Sequence, residues 1–158
     1  MTSRYERYAS RDALLARLGE LAPATVIFDI EPLVAFWRTG RDALDLGIAA
    51  VVDQMSAIPA VRAVCFSTNS ARTPARLTDR AGLEVSYLAG ARKPLRLAPY
   101  RGLPRPGVVV GDQVATDGML ARRLGYTFLH YSPDLSGMPA GPRLMRQSGR
   151  LVRPFLFR

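Results

Sequence analysis

Acidic residues close two of the apolar runs in this chain. Val26-Ile27-Phe28 leads into Asp29, Ile30 and Glu31, and Gly107-Val108-Val109-Val110-Gly111 leads into Asp112, with Asp117 shortly after. A third run, Ala63-Val64-Cys65-Phe66, ends on Ser67-Thr68-Asn69, and the turn Gly90-Ala91-Arg92-Lys93-Pro94 presents a lysine. Carboxylates from two strand ends make a hard oxygen site suited to Mg²⁺. Hydroxyl, amide and ammonium groups are donors for phosphoryl oxygens. An aspartate held beside them can act as a nucleophile towards phosphorus. Singly, each is an ordinary strand-end residue, because Asp, Asn and Ser favour turns. In this order they supply a nucleophile (Asp29), a second acid (Glu31), metal ligands (Asp29, Asp112, Asp117), a clamp (Ser67, Lys93) and flanking donors (Thr68, Asn69) for phosphoryl transfer.

Such groups meet only if the runs are parallel strands of one sheet, since ligands of open α/β sheets bind outside the strands' carboxyl ends. The pattern fits. The apolar run before Asp29 predicts a strand over about 25–30, stopped by Pro32. A loop over 32–40 holds Phe36 and Trp37, and a helix over about 41–56 carries Leu44, Ile48, Val51, Val52 and Met55 on one face. Further strands are expected at 63–66, 84–88, 107–111 and 127–131. Helices are expected at about 72–81, ending at Gly82, weakly up to Tyr100, and at 116–124, ending at Gly125. Ser10 is placed to cap a helix from Arg11 to Leu21, while residues 1–10 read as poorly ordered. Strands alternating with helices imply an α/β fold: a three-layer, doubly wound, Rossmann-like parallel sheet of about five strands. The expected organisation is an N-terminal segment and helix (1–23), a core (24–131) and a basic tail (132–158).

The chain has 158 residues, 48% of them hydrophobic, enough for one domain with its own core. Lys and Arg number 22 against 13 acids, a net charge of +9, which suits an anionic partner. Cys65 is the single cysteine, which excludes an intrachain disulfide or a cysteine zinc site. No apolar run approaches the roughly 18 residues of a membrane span, and Met1 to Asp12 lacks a signal-peptide core. A cytoplasmic protein, soluble or peripheral to the membrane, is the expectation.

The order of these pieces resembles the haloacid dehalogenase (HAD) phosphatase superfamily over about residues 24–131. Phe28-Asp29-Ile30-Glu31-Pro32-Leu33 stands where that family has a strand ending in Asp-x-Asp-x-Thr. Ser67, Lys93 and Val110-Gly111-Asp112-Gln113-Val114-Ala115-Thr116-Asp117 are similar to its other three motifs. The last, with Arg123-Leu124-Gly125, looks like the small class III branch that includes phosphatidylglycerophosphate-phosphatase-like proteins. The resemblance implies that Asp29 forms an aspartyl-phosphate, that Asp112 holds Mg²⁺ with Asp117 nearby, that Ser67 and Lys93 clamp the phosphoryl oxygens, and that Glu31 protonates the leaving group and then activates water. The sequence departs from the family at three positions: Glu31 replaces Asp, Pro32 follows it, and Leu33 takes the Thr position. A methylene too many matters, since misplacement by about 1 Å can cost ~10²-fold in rate. A catalytically degenerate, phosphate- and Mg²⁺-binding regulatory protein is therefore the alternative to a phosphatase.

The gaps between motifs, about 38 and about 26 positions, are too short for a folded cap domain. An uncapped site needs water excluded by a large substrate, a membrane surface or a partner subunit. A phosphorylated small molecule and a lipid head group both fit, and a homo-oligomer is compatible. In the tail, Phe155, Leu156 and Phe157 could enter an anionic membrane while Arg150, Arg153 and Arg158 meet head groups; packing of those apolar residues onto the domain is the plainer expectation. His130 reads as structural, Cys65 as buried and inert, and Phe36 and Trp37 as core in preference to cleft. A receiver-like signalling domain is disfavoured, because the third strand ends in Leu88-Ala89-Gly90 without an acid. No nucleic-acid motif is present.

Overall fold

A computed structural model describes residues 4–134 and 138–157. Six strands form a single all-parallel sheet in the order β1-β6-β5-β2-β3-β4. They are β1 (Tyr5–Tyr8), β2 (Thr25–Asp29), β3 (Ala63–Ser67), β4 (Glu84–Leu88), β5 (Gly107–Gly111) and β6 (Thr127–Tyr131). The four helices are α1 (Arg11–Leu21), α2 (Arg41–Ser56), α3 (Met119–Leu124) and α4 (Ala140–Leu156). The central strands β2, β3 and β5 are almost wholly apolar because both of their faces are covered. On one face, Leu14 and Leu18 of α1 and the apolar stripe of α2 pack on Val26, Phe28, Val64, Phe66, Val108 and Val110. On the other, Leu120, Ala121 and Leu124 of α3 pack on Ile27, Cys65, Val109 and Phe128. The result is a three-layer, Rossmann-like α/β fold.

The chain runs outward through β2, β3 and β4, then crosses back to lay β5 on the other side of β2. The carboxyl ends of β2 and β5 therefore flank the point where winding reverses, the usual ligand crevice of such sheets. Asp29 ends β2 and Asp112 follows β5.

Several elements differ from expectation. The sheet has six strands because residues 5–8, expected to be disordered, pair with β6 from Tyr5 opposite Phe128 to Tyr8 opposite Tyr131. Residues 72–81 are not helical. Leu77 is the one large apolar residue there, so a helix would have had no face to bury. Other partners take the segment: Ala75 N–H donates to Asp45 Oδ1, Tyr87 hydroxyl donates to the Arg72 carbonyl, and Arg80 pairs with Asp53. The weak helix before Tyr100 shrinks to one 3₁₀ turn, Ala98–Tyr100, and the helix expected from 116 begins as a π-turn over Val114–Gly118. Ser10 does cap α1, accepting from Ala13 N–H at 3.3 Å.

The tail forms α4, and its apolar residues divide. Leu156 is buried, and the ring of Phe157 packs on Phe128 and Tyr5. Leu144, Leu151 and Phe155 face solvent. Arg158 lies outside the described residues. No helix among the described residues is long and apolar enough to cross a membrane.

Candidate active site

Parallel registry carries three of the predicted residues to one end of the sheet. Asp29 pairs with Ser67 across β2 and β3, and Phe28 pairs with Val110 of β5. Lys93 arrives from the loop after β4. Asn69 fixes that loop: its Oδ1 accepts from Lys93 N–H at 2.7 Å and its Nδ2 donates to the Lys93 carbonyl at 3.1 Å. Asn69 thus positions the lysine as well as lining the cavity.

Asp117 is placed by the π-turn. The Gln113 carbonyl accepts from the N–H groups of Thr116, Asp117 and Gly118, which turns Asp117 back over the end of β5. There it lies against Gly111, where a β-carbon would stand 2.3 Å from Asp117 Oδ2. Only glycine permits that approach. In the sequence the signal for this role is the Gly111-Asp112 pair at a strand end.

At the centre, the Lys93 ammonium donates to Asp29 Oδ1 at 2.6 Å, to Asp117 Oδ1 at 2.7 Å and to the Ser67 carbonyl at 3.1 Å. Burial alone would lower this lysine, but the charges of Asp117 and Asp29 outweigh it and hold the ammonium well above the usual lysine value. The carboxylates of Asp29, Asp112 and Asp117 offer oxygens that all lie within 4.8 Å of one another. Burial, then the charge of Asp117, raises Asp29 to about 7 against the opposing pull of Lys93. Burial, then Asp29 and Asp117, raises Asp112 to about 8.

Asp112 is the anomaly. Both its carboxylate oxygens are buried with no hydrogen-bond partner, which no other described side chain repeats. An unpartnered buried carboxylate is costly, and buried groups of this kind call for an explanation such as an ion. The charges point the same way. Lys93 pairs with Asp29 and Asp117, and Arg72 with Glu31, while Asp112 forms no ion pair among the described residues. Three carboxylates at a strand edge are a hard oxygen donor set, so the residues fit Mg²⁺.

A cavity of about 190 Å³ opens beside this cluster, lined by Asp29, Glu31, Lys93, Thr68, Asn69 and Gln113, with Trp37, Ser70 and Thr116 completing its wall. Two expectations change here. The Ser67 hydroxyl is fully buried and hydrogen-bonded to the Tyr100 hydroxyl at 2.7 Å, outside the cavity lining, so Thr68 and not Ser67 supplies a hydroxyl-bearing wall. Trp37 lines the cavity instead of the core, and Phe36 is 55% exposed.

Glu31 sits at the cavity but is not free. Arg72 Nη1 bonds its carboxylate at 3.1 Å and the Phe36 carbonyl at 3.1 Å, and Arg72 Nη2 bonds the Thr39 hydroxyl at 2.6 Å. This clamp was invisible in the sequence, where Arg72 is one arginine among many in an expected helix. His130 is structural, as expected. Its Nε2 lies 3.0 Å from the Asp112 carbonyl, an acceptor only, so Nε2 carries the hydrogen and Nδ1 accepts from the Tyr5 hydroxyl at 2.7 Å. Burial lowers this imidazole to about 4, keeping it neutral. Cys65 is buried, and that burial pushes its thiol up to about 11.

Set against known proteins, the chain matches no family model, no curated protein and no solved structure.

Proposed function

We propose that this protein is a Mg²⁺-dependent phosphohydrolase of the HAD type, without a cap, that cleaves phosphomonoesters through an aspartyl-phosphate on Asp29. The observation that carries this reading is the convergence of Asp29, Asp112 and Asp117 around the Lys93 ammonium, with Asp112 left unpartnered. Asp29, Asp112 and Asp117 would hold the ion, which supplies charge neutralisation to the transferring phosphoryl group when bound. The chain's own residues do the rest. A carboxylate oxygen of Asp29 forms a bond to phosphorus as the bond to the ester oxygen breaks, and Glu31 delivers the proton that the departing alkoxide needs. Glu31, now ionised, takes a proton from water, whose oxygen displaces Asp29 from phosphorus and releases inorganic phosphate. Lys93 favours the ionised form of Asp29 and offsets charge on the phosphoryl oxygens, while Thr68 and Asn69 border the group.

The cavity, about 190 Å³, holds a phosphoryl group and little more. The remainder of any ester stays outside, over Trp37 and Ser70. A large phosphorylated molecule or a lipid head group at a membrane suits such a mouth better than a small sugar phosphate.

One observation favours the alternative, a phosphate-binding regulatory protein without turnover. Arg72 holds the Glu31 carboxylate in an ion pair at 3.1 Å, so the acid that must serve the leaving group is already engaged by the protein. Hydrolysis of p-nitrophenyl phosphate with Mg²⁺ decides between them. Activity that disappears in Asp29→Asn supports the phosphatase. If neither wild type nor Glu31→Asp shows activity, the binding protein stands.

A further inference from the structure

A second cavity, of about 340 Å³, lies between α4 and the β1–β6 edge of the sheet, and it shares no lining residue with the Asp29 cavity. Four arginines line it: Arg7, Arg146, Arg150 and Arg153. The last three fall at i, i+4 and i+7 of α4 and so share one helix face. Arg7 faces them from β1, where it pairs in register with His130. None of the four forms an ion pair among the described residues. Arg7 and Arg146 both bond the Ser132 hydroxyl, Arg153 lies over the Tyr5 ring at 5.5 Å, and Arg150 has no hydrogen bond among the described residues. The single acid in the lining is Asp112, which belongs to the carboxylate cluster on its other side. The cavity thus gathers four fixed positive charges against one negative charge.

Arg7, Arg150 and Arg153 are exposed and solvated, while half-buried Arg146 also donates to the Pro133 carbonyl; their summed charge along one concave wall focuses a positive potential that draws an anion. Their planar forks match phosphate oxygens two at a time. The volume reaches the roughly 300 Å³ at which small-molecule sites begin, above what one phosphate fills. We propose that this cavity is a second anion-binding site, separate from the Asp29 cavity, that takes a small molecule bearing a pyrophosphate or comparable pair of phosphoryl groups.

The test is calorimetric titration of the full chain with inorganic pyrophosphate in EDTA. EDTA removes any divalent ion that would draw phosphate to the Asp29 cavity, and the variants below assign the remaining binding to one cavity or the other whether or not the protein is a phosphatase. Wild type binds, and inorganic phosphate binds more weakly. The double variant Arg150→Ala/Arg153→Ala, and separately Arg7→Ala on a different element, weaken pyrophosphate by about tenfold or more each, the size of one charge-assisted contact. Ser70→Asp, which adds a negative charge at the mouth of the Asp29 cavity, leaves it unchanged. Thermal melts establish that each variant is folded. No binding by wild type, a smaller loss in the folded arginine variants, or loss in Ser70→Asp overturns the proposal.

Discussion

Gly111 and Asp112 decide the site through what each lacks. Gly111 lacks the β-carbon that would occupy the place of the Asp117 carboxylate. Gly111→Ala is therefore expected to push Asp117 off Lys93, destabilising the protein by about 1–3 kcal/mol, as overpacked core substitutions do. It should also abolish the stabilisation that Mg²⁺ confers, read as the difference in urea midpoint with and without the ion. Asp112 lacks a partner, so its removal acts in the opposite sense. Asp112→Asn deletes a buried charge that no hydrogen bond or ion pair satisfies in the metal-free protein. At pH 8 in EDTA this variant should melt above wild type, and added Mg²⁺ should no longer raise its melting temperature. A variant that melts below wild type in EDTA would show that Asp112 is satisfied by some other route.

At the scale of elements, what was legible in the sequence was whatever carried its own periodicity. The β2, β3 and β5 runs are apolar on both faces and could be nothing but central strands, and α2 shows a full apolar stripe. The positions of Asp29, Lys93 and Asp112 follow from those strands and from strand-end logic, so they too were legible. Elements held by distant partners were not. Strand β1 is short, carries Glu6 and Arg7, and exists because β6 offers an edge. Residues 72–81 are fixed by Asp45, Asp53 and Tyr87, each of which bonds a residue well beyond one helical turn away in sequence. The turning of Ser67 towards Tyr100 depends on a 3₁₀ turn that sequence reasoning extended into a helix. The π-turn belongs to the same class, and it links the tail to the site. Gly149 of α4 packs on Val114 of that turn so closely that a β-carbon would lie 3.3 Å from Val114 Cβ. Gly149→Val should lift α4 from the turn that carries Asp117. The expected result is faster amide exchange over both 114–118 and α4, together with weaker Mg²⁺ stabilisation, whereas a tail independent of the site would show the change in α4 alone.

The whole molecule registers the buried charges as a dependence of stability on pH. Unfolded, Asp29 and Asp112 titrate near the ordinary carboxylate value of about 3.9. Folded and without metal, they are raised to about 7 and about 8. Between these limits the folded protein binds more protons than the unfolded chain, so stability falls as pH rises. The contribution is fully present below about pH 4, declines through the window and is lost above about pH 8; each proton accounts for about 1.4 kcal/mol per pH unit where it titrates fully. Lys93, raised above its usual value, stays charged throughout and adds no slope, while His130, lowered to about 4, gives an opposing slope below about pH 6.5 that offsets one of the two aspartate protons without reversing the fall. A divalent ion must displace these protons to bind, so its apparent affinity rises across the same window. Calorimetric melting from pH 5 to 9 should therefore give a falling melting temperature in EDTA and a Mg²⁺ increment that grows with pH. The two curves should diverge most above pH 7. A metal-free melting temperature that is flat or rising between pH 5 and 8 would mean that Asp29 and Asp112 are already ionised at little cost. The excess negative charge at the sheet edge would then need no cation.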